Sequence, residues 1–133
     1  MEKDLKDLFL KDLCARLPYN VICQVEFKED GKYNSKVMLL SGIFTDEAYF
    51  TTKGGSIYSN EYKPYLFPLS SMTKEQEKEF NQLLELELKA ISDEIDHTQV
   101  TAFEIDFYNK HHFDWRGLIS IGLALDATGL NIY

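Results

Sequence analysis

The sequence predicts an α+β fold: an N-terminal helix, a small antiparallel sheet or SH3-like barrel from about residue 20 to 70, and then a helical C-terminal half. Three observations carry this. Leu5, Leu8, Phe9, Leu13 and Leu17 recur at helical spacing at the start. From Val21 to Phe67, β-branched and aromatic runs are broken by Gly31, Gly54, Gly55 and Pro64. Beyond Thr73 the apolar period returns to that of a helix. Strands run together and helices run together, so alternation of the βαβ kind is absent. At 133 residues a single domain, 1–133, buries roughly two thirds of its unfolded surface without staples.

The opening helix over 3–16 sets Lys3, Asp4, Lys6, Asp7, Lys11 and Asp12 on its polar remainder and stops before Pro18, which disfavours helical geometry in Leu17. "VICQVEF" (21–27) alternates, with Val21, Cys23, Val25 and Phe27 on one face. "KEDGKYNS" turns the chain and "KVMLLSGIF" returns it as a hairpin. "EAYFTT" (47–52) predicts a third strand, and "TKGGS" (52–56) fits a hairpin turn better than a phosphate loop. In "SIYSNEYKPYLFPLSS", Pro64 and Pro68 confine any strand to an edge. The sum is a curved sheet of three to five strands.

The strongest helix signal is "SSMTKEQEKEFNQLLELELKAISDEIDH". Thr73 and Gln76 make a capping box, and Phe80, Leu84, Leu88, Ile91 and Ile95 mark one face. "TQVTAFEIDFYNKHHF" predicts another helix, with Thr101 and Glu104 as its capping box and Val100, Phe103 and Phe107 as its stripe. "RGLISIGLALDA" predicts a last helix that follows Asp114 and ends before Gly129.

Net charge is −8, from 22 acidic and 14 basic residues, and Arg16 and Arg116 are the only arginines. Affinity for a phosphate backbone rests on clustered Lys and Arg, so no direct nucleic-acid contact is expected. Cys14 and Cys23 lack metal-like or Cys-x-x-Cys spacing, which points to buried free thiols in a reducing cytoplasm. The first residues alternate charged and apolar positions, unlike a secretory signal, and no run approaches the ~18 apolar residues of a membrane span. Soluble, cytoplasmic protein without membrane association is the expectation.

"HHFDWRG" (111–117) concentrates side chains that can do chemistry. His111 and His112 are adjacent, so on a helix they diverge by about 100° and cannot share one metal ion. His112 and Asp114 supply too few ligands for zinc unless His97 or Asp106 joins them. The better reading is a junction: Asp114 caps a following helix, Phe113 reaches the core, Trp115 is largely buried, and the histidines serve a helix C-terminus. Trp115 and Arg116 are also types enriched at binding hot spots, and Arg116 can hold a carboxylate or an anionic ligand. The candidate binding set is Trp115, Arg116, His111, His112 and Asp114, with Tyr62 and Tyr65 from the aromatic segment, where core cover is favoured over recognition. No catalytic set, metal or cofactor is assigned: Gly-x-Gly-x-x-Gly, Walker, Gly-x-Ser-x-Gly and His-Glu-x-x-His patterns are all missing.

The blocks "ARLPYNVICQV", "KPYLFPLSSMT" and "HHFDWRGLISIGLALDA", in this order and spacing, resemble a group of short uncharacterised proteins of gut anaerobes and their phages or mobile elements. The resemblance spans nearly the whole chain and implies an accessory role without assigning any activity or residue. The expected function is therefore a non-catalytic protein-interaction or accessory module with a protein partner or a second copy of itself. A metal-assisted hydrolase using His111, His112 and Asp114 is one alternative. An acidic counter-defence protein that imitates nucleic acid through Glu75, Glu79, Glu85, Glu87, Asp93 and Glu94 is the other.

Overall fold

The structure, a computed structural model, describes residues 2–44, 47–90 and 97–133, with the backbone alone for 87–90 and 97–101. Helix α1, Lys3–Arg16, buries Phe9 and Leu13 as its spacing demands, and with them Asp12 and Arg16. Asp12 therefore does not belong to the polar remainder. It lies one position before Leu13 and three after Phe9, on the same stripe. A single turn of tighter helix, Leu17–Tyr19, and a left-handed Asn20 (φ 60°) then lead into the sheet.

Six strands follow: β1 Ile22–Glu29, β2 Lys32–Ile43, β3 Ala48–Thr52, β4 Gly55–Ser59, β5 Glu61–Leu66 and, far along the chain, β6 Leu125–Asp126. Their order is β4-β3-β2-β1-β5-β6. The first five are antiparallel to their neighbours, but β6 runs parallel to β5. The sheet is thus mixed and open, which corrects the antiparallel sheet or closed barrel of the sequence reading. Closure is not needed, because α1 and the residues after 117 cover one face: Phe9, Leu13, Leu118, Leu123 and Ala124 pack on Cys23, Val25, Met38, Leu40 and Phe50. Pro64 pairs with Cys23, and β6 begins opposite Tyr65, so at Pro64 the strand has a ladder neighbour on one side only. That is how a proline is tolerated there.

Helix α2, Lys74–Ala90, opens on the anticipated capping box. The Thr73 amide donates to Gln76 Oε1 at 2.9 Å, and the Gln76 amide donates to Thr73 Oγ1 at 3.1 Å. Leu88, Ile91 and Ile95 of the expected stripe lie outside the residues whose side chains are described. Helix α3, His97–Lys110, begins four residues before Thr101, so the Thr101–Glu104 capping box is overturned. The two helices meet through aromatic rings, Phe80 standing 5.7 Å from Phe103 and 5.0 Å from Phe107.

The predicted last helix does not form. Residues after Arg116 make successive turns, with Gly117 at φ 78° and Gly122 at φ 80°, and then β6. Each glycine costs a helix about 1 kcal/mol relative to alanine, while left-handed turns suit it. The turns also bury Leu118, Leu123, Ala124 and Ala127 together, an irregular spacing that no single helical face presents. The helical part of the C-terminal half is accordingly α2 and α3.

Two substitutions test this assignment by thermal denaturation. Thr73→Ala should cost about 1 kcal/mol through the lost cap. Gly122→Ala meets no atom within 4 Å of the added carbon, so its effect is backbone strain, and it should destabilise by about 1–2 kcal/mol. In a helix the same change would stabilise, so the sign alone decides.

Candidate functional site

The backbone of residues 108–114 explains why the "HHFDWRG" side chains sit where they do. Helix α3 ends in a paired capping arrangement: the His112 amide donates to the Asn109 carbonyl at 3.2 Å, and the Phe113 amide reaches back to the Tyr108 carbonyl at 2.8 Å. Such an ending puts one residue in the left-handed region, usually glycine. Here it is His112, at φ 62°, which costs about 1–2 kcal/mol. The surroundings hold it. Phe67 donates its amide to the His112 carbonyl and accepts the Asp114 amide, both at 2.8 Å, and the Tyr133 ring stacks on the imidazole at 3.6 Å.

From this fixed point the side chains fan out. Phe113 is fully in the core. Asp114 accepts amide hydrogens from Leu118 at 2.7 Å and Ile119 at 2.9 Å, one on each oxygen. It caps the next turn as anticipated, although that turn is not the start of a helix. Trp115 is half-buried rather than largely buried; its Nε1–H donates to Asn109 Oδ1 at 2.9 Å and its ring face carries the Arg116 guanidinium at 4.1 Å. His111 Nε2 lies 3.4 Å from Glu79 Oε1 on α2. The two histidines therefore look to different neighbours.

Arg116 leads to residues that the sequence reading missed. Its Nε lies 3.2 Å from Asp12 Oδ1, without its hydrogen aligned on that oxygen. The same carboxylate accepts from Arg16 Nε at 2.7 Å and Nη2 at 3.2 Å. Asp12 and Arg16 are 1% and 0% exposed and Arg116 18%. The one available signal was their four-residue spacing beside Phe9 and Leu13, which gives an ion pair on the buried face of a helix. Burial, followed by the charge of the nearby Arg16 and then of His111, brings His112 down to about 4 from its ordinary 6.5, so its imidazole is neutral at pH 7.

Tyr62 and Tyr65 stand apart from each other. Tyr62 lies on the covered side of the sheet against Phe9 (5.5 Å) and Phe50 (4.9 Å), where burial pushes its phenol up to about 12. Tyr65 is on the other side, buried, donating to Gln24 Oε1 at 2.7 Å, and its carbonyl accepts from the Tyr133 hydroxyl at 2.8 Å. Tyr65 thus joins the His112 neighbourhood through Tyr133, and Tyr62 does not. Both cysteines are free thiols. Cys23 is buried, which pushes its thiol up and leaves it inert, but Cys14 is exposed, contrary to the expectation of two buried thiols.

For the alternatives, His111, His112 and Asp114 are not aimed at a common point, and Asp106 is exposed on α3. Among the described residues no three His, Cys, Asp or Glu side chains are grouped to hold a metal ion. Glu75 and Glu85 are exposed on α2, Glu79 faces His111, and the side chains of Glu87, Asp93 and Glu94 lie outside the described residues. No described helix is long and apolar enough to cross a membrane. No protein-family model, curated protein or solved structure matches the chain.

Asp12→Asn leaves two guanidiniums around an uncharged group and should destabilise by about 3–5 kcal/mol in chemical denaturation. A pH series tests His112. Its folded-state value lies below the unfolded one, so between pH 6.5 and 4 the unfolded chain holds a proton that the folded chain does not. The contribution is present above pH 6.5 and is lost as pH falls to about 4. His112→Asn, which tolerates the left-handed backbone, should show a smaller drop in melting temperature across that window than the parent.

Proposed function

We propose that the protein is a non-catalytic interaction module whose uncovered sheet face receives a partner protein. One observation carries this reading: the face opposite α1 stays largely open over β2, β3 and β4 and presents apolar side chains there. Val37, Phe44 and Tyr58 are 49%, 54% and 56% exposed. The rings of Phe44, Tyr49 and Tyr58 form one group, Tyr58 standing 5.9 Å from Phe44 and 4.9 Å from Tyr49. Beside them Ile22, Leu39 and Thr51 share a register row and line a shallow groove with Val37. Aromatic side chains on a rigid sheet offer contact area at low entropic cost, which suits them to anchor a partner.

β4 is also an edge strand, so its outer backbone groups are open to pairing with an incoming strand. An edge strand pairs as readily with the same edge of a second copy as with another protein, so self-association belongs to this proposal. Two free cysteines support a reducing, cytoplasmic setting. An accessory role in a phage or mobile element, which the resemblance of "KPYLFPLSSMT" and "HHFDWRGLISIGLALDA" implies, is part of the same reading.

A photo-cross-linking amino acid placed at position 58 in producing cells should yield a defined adduct, either with another protein or at the mass of a dimer. The same probe at position 75 on α2 should not. Adducts at 75 and none at 58 would favour the acidic-mimic alternative instead. Tyr58→Ser should abolish the adduct formed from a neighbouring position on β3 while changing stability by no more than about 0.5 kcal/mol, as for other exposed sites.

A further inference from the structure

We propose that Arg16 and Arg116, which share the Asp12 carboxylate, form with His112 a binding site for one small oxyanion, a carboxylate or phosphate group that enters past Arg116 and Trp115. This is independent of the docking surface on the sheet.

The first reason is charge. Two guanidiniums meet one carboxylate in a place where Arg16 is 0% and Asp12 1% exposed. Among the described residues no second carboxylate pairs with either arginine. Asp114, two residues from Arg116, has both oxygens engaged by the amides of Leu118 and Ile119. An excess positive charge at a buried position is costly without an anion, and an anion placed there restores neutrality. The same excess argues against a cation as ligand.

The second reason is the set of donors. Arg16 Nη1, His112 Nδ1 and Arg116 Nε are each shut off from solvent and lack a hydrogen-bond partner. A guanidinium presents planar pairs of N–H groups that match an oxyanion, and the His112 imidazole would add one more donor in the tautomer that carries its proton on Nδ1. The third reason is access. Arg16 is fully buried, whereas the Arg116 side chain is 18% exposed and lies on the half-buried Trp115. Arg116 is therefore the residue an entering anion meets first, and the indole beneath it reports the event.

Trp115 is the only tryptophan, so its fluorescence reads this site alone. Inorganic phosphate and, separately, acetate are titrated against chloride at constant ionic strength. The expected result is a saturable change in Trp115 emission with at least one of them, and a melting temperature that rises along the same saturation curve. Saturation with phosphate alone identifies a phosphate-type ligand, and saturation with acetate as well identifies a carboxylate-type one. Arg116→Gln should weaken the binding by about tenfold or more. Arg116→Lys keeps the charge without the planar fork and should weaken it as well, so the comparison stands even if the glutamine variant fails to fold. A response that grows linearly without saturating for both anions would overturn the proposal. So would an unchanged saturation curve in either variant.

Discussion

The carboxylate of Asp12 is the one charge on which the two ends of the chain agree. It takes two hydrogen bonds from Arg16 within α1 and an ion-pair contact from Arg116 of the C-terminal segment. A buried charge demands such partners because water is not there to supply them. The cost of leaving any of these three groups alone is what makes the arrangement specific. Arg116 follows directly on Trp115 and Asp114, so fixing its head also limits where the turn after α3 can lie. That turn in turn delivers Leu118, Leu123 and Ala124 onto the sheet. The lid over the core and the buried ion cluster are therefore one construction.

The second constraint is the short pairing of the C-terminal segment with β5. Phe67 exchanges backbone hydrogen bonds with His112 and Asp114, and further along the chain β6 lies alongside Tyr65 and Leu66. Tyr133 closes the same region, its hydroxyl bridging the Tyr65 carbonyl and the backbone of Ile22 while its ring covers His112. These contacts explain why a histidine can occupy the left-handed position at the end of α3. The backbone strain is held by hydrogen bonds on both sides and by a stacked ring. They also leave the face opposite α1 open over β2 to β4, where Val37, Phe44 and Tyr58 are exposed. One face of one sheet is thus divided into a closed end, held by the chain's own tail, and an open end available to others.

Much of this was legible in the residues themselves. α1, the first three strands and the α2 capping box follow from periodicity, β-branched content and the Thr73–Gln76 spacing, since each depends on neighbours within a few positions. The Asp114 cap was legible for the same reason. The glycine-containing run after Arg116 was not: its leucines and alanines fit a helical pattern, and only the left-handed Gly117 and Gly122 reveal turns instead. Thr101 and Glu104 had the capping spacing, yet the helix starts at His97. A local motif is necessary for a cap but does not compel one.

What the sequence determined alone was the class of α1, α2 and α3 and of the first strands, the absence of known catalytic motifs and the acidic balance of the chain. These are properties of residue type and short spacing, and they hold whatever the chain packs against. Tertiary structure decided which way β6 runs, that the sheet stays open, that Asp12 and Arg16 turn inward, and that Arg116 joins them across about a hundred residues of chain. The reason is physical. A helix stripe states which positions are available for burial, but whether an acid on that stripe is buried depends on whether a cation from elsewhere arrives to meet it. That meeting exists only once the fold has brought α1 and the C-terminal turn together.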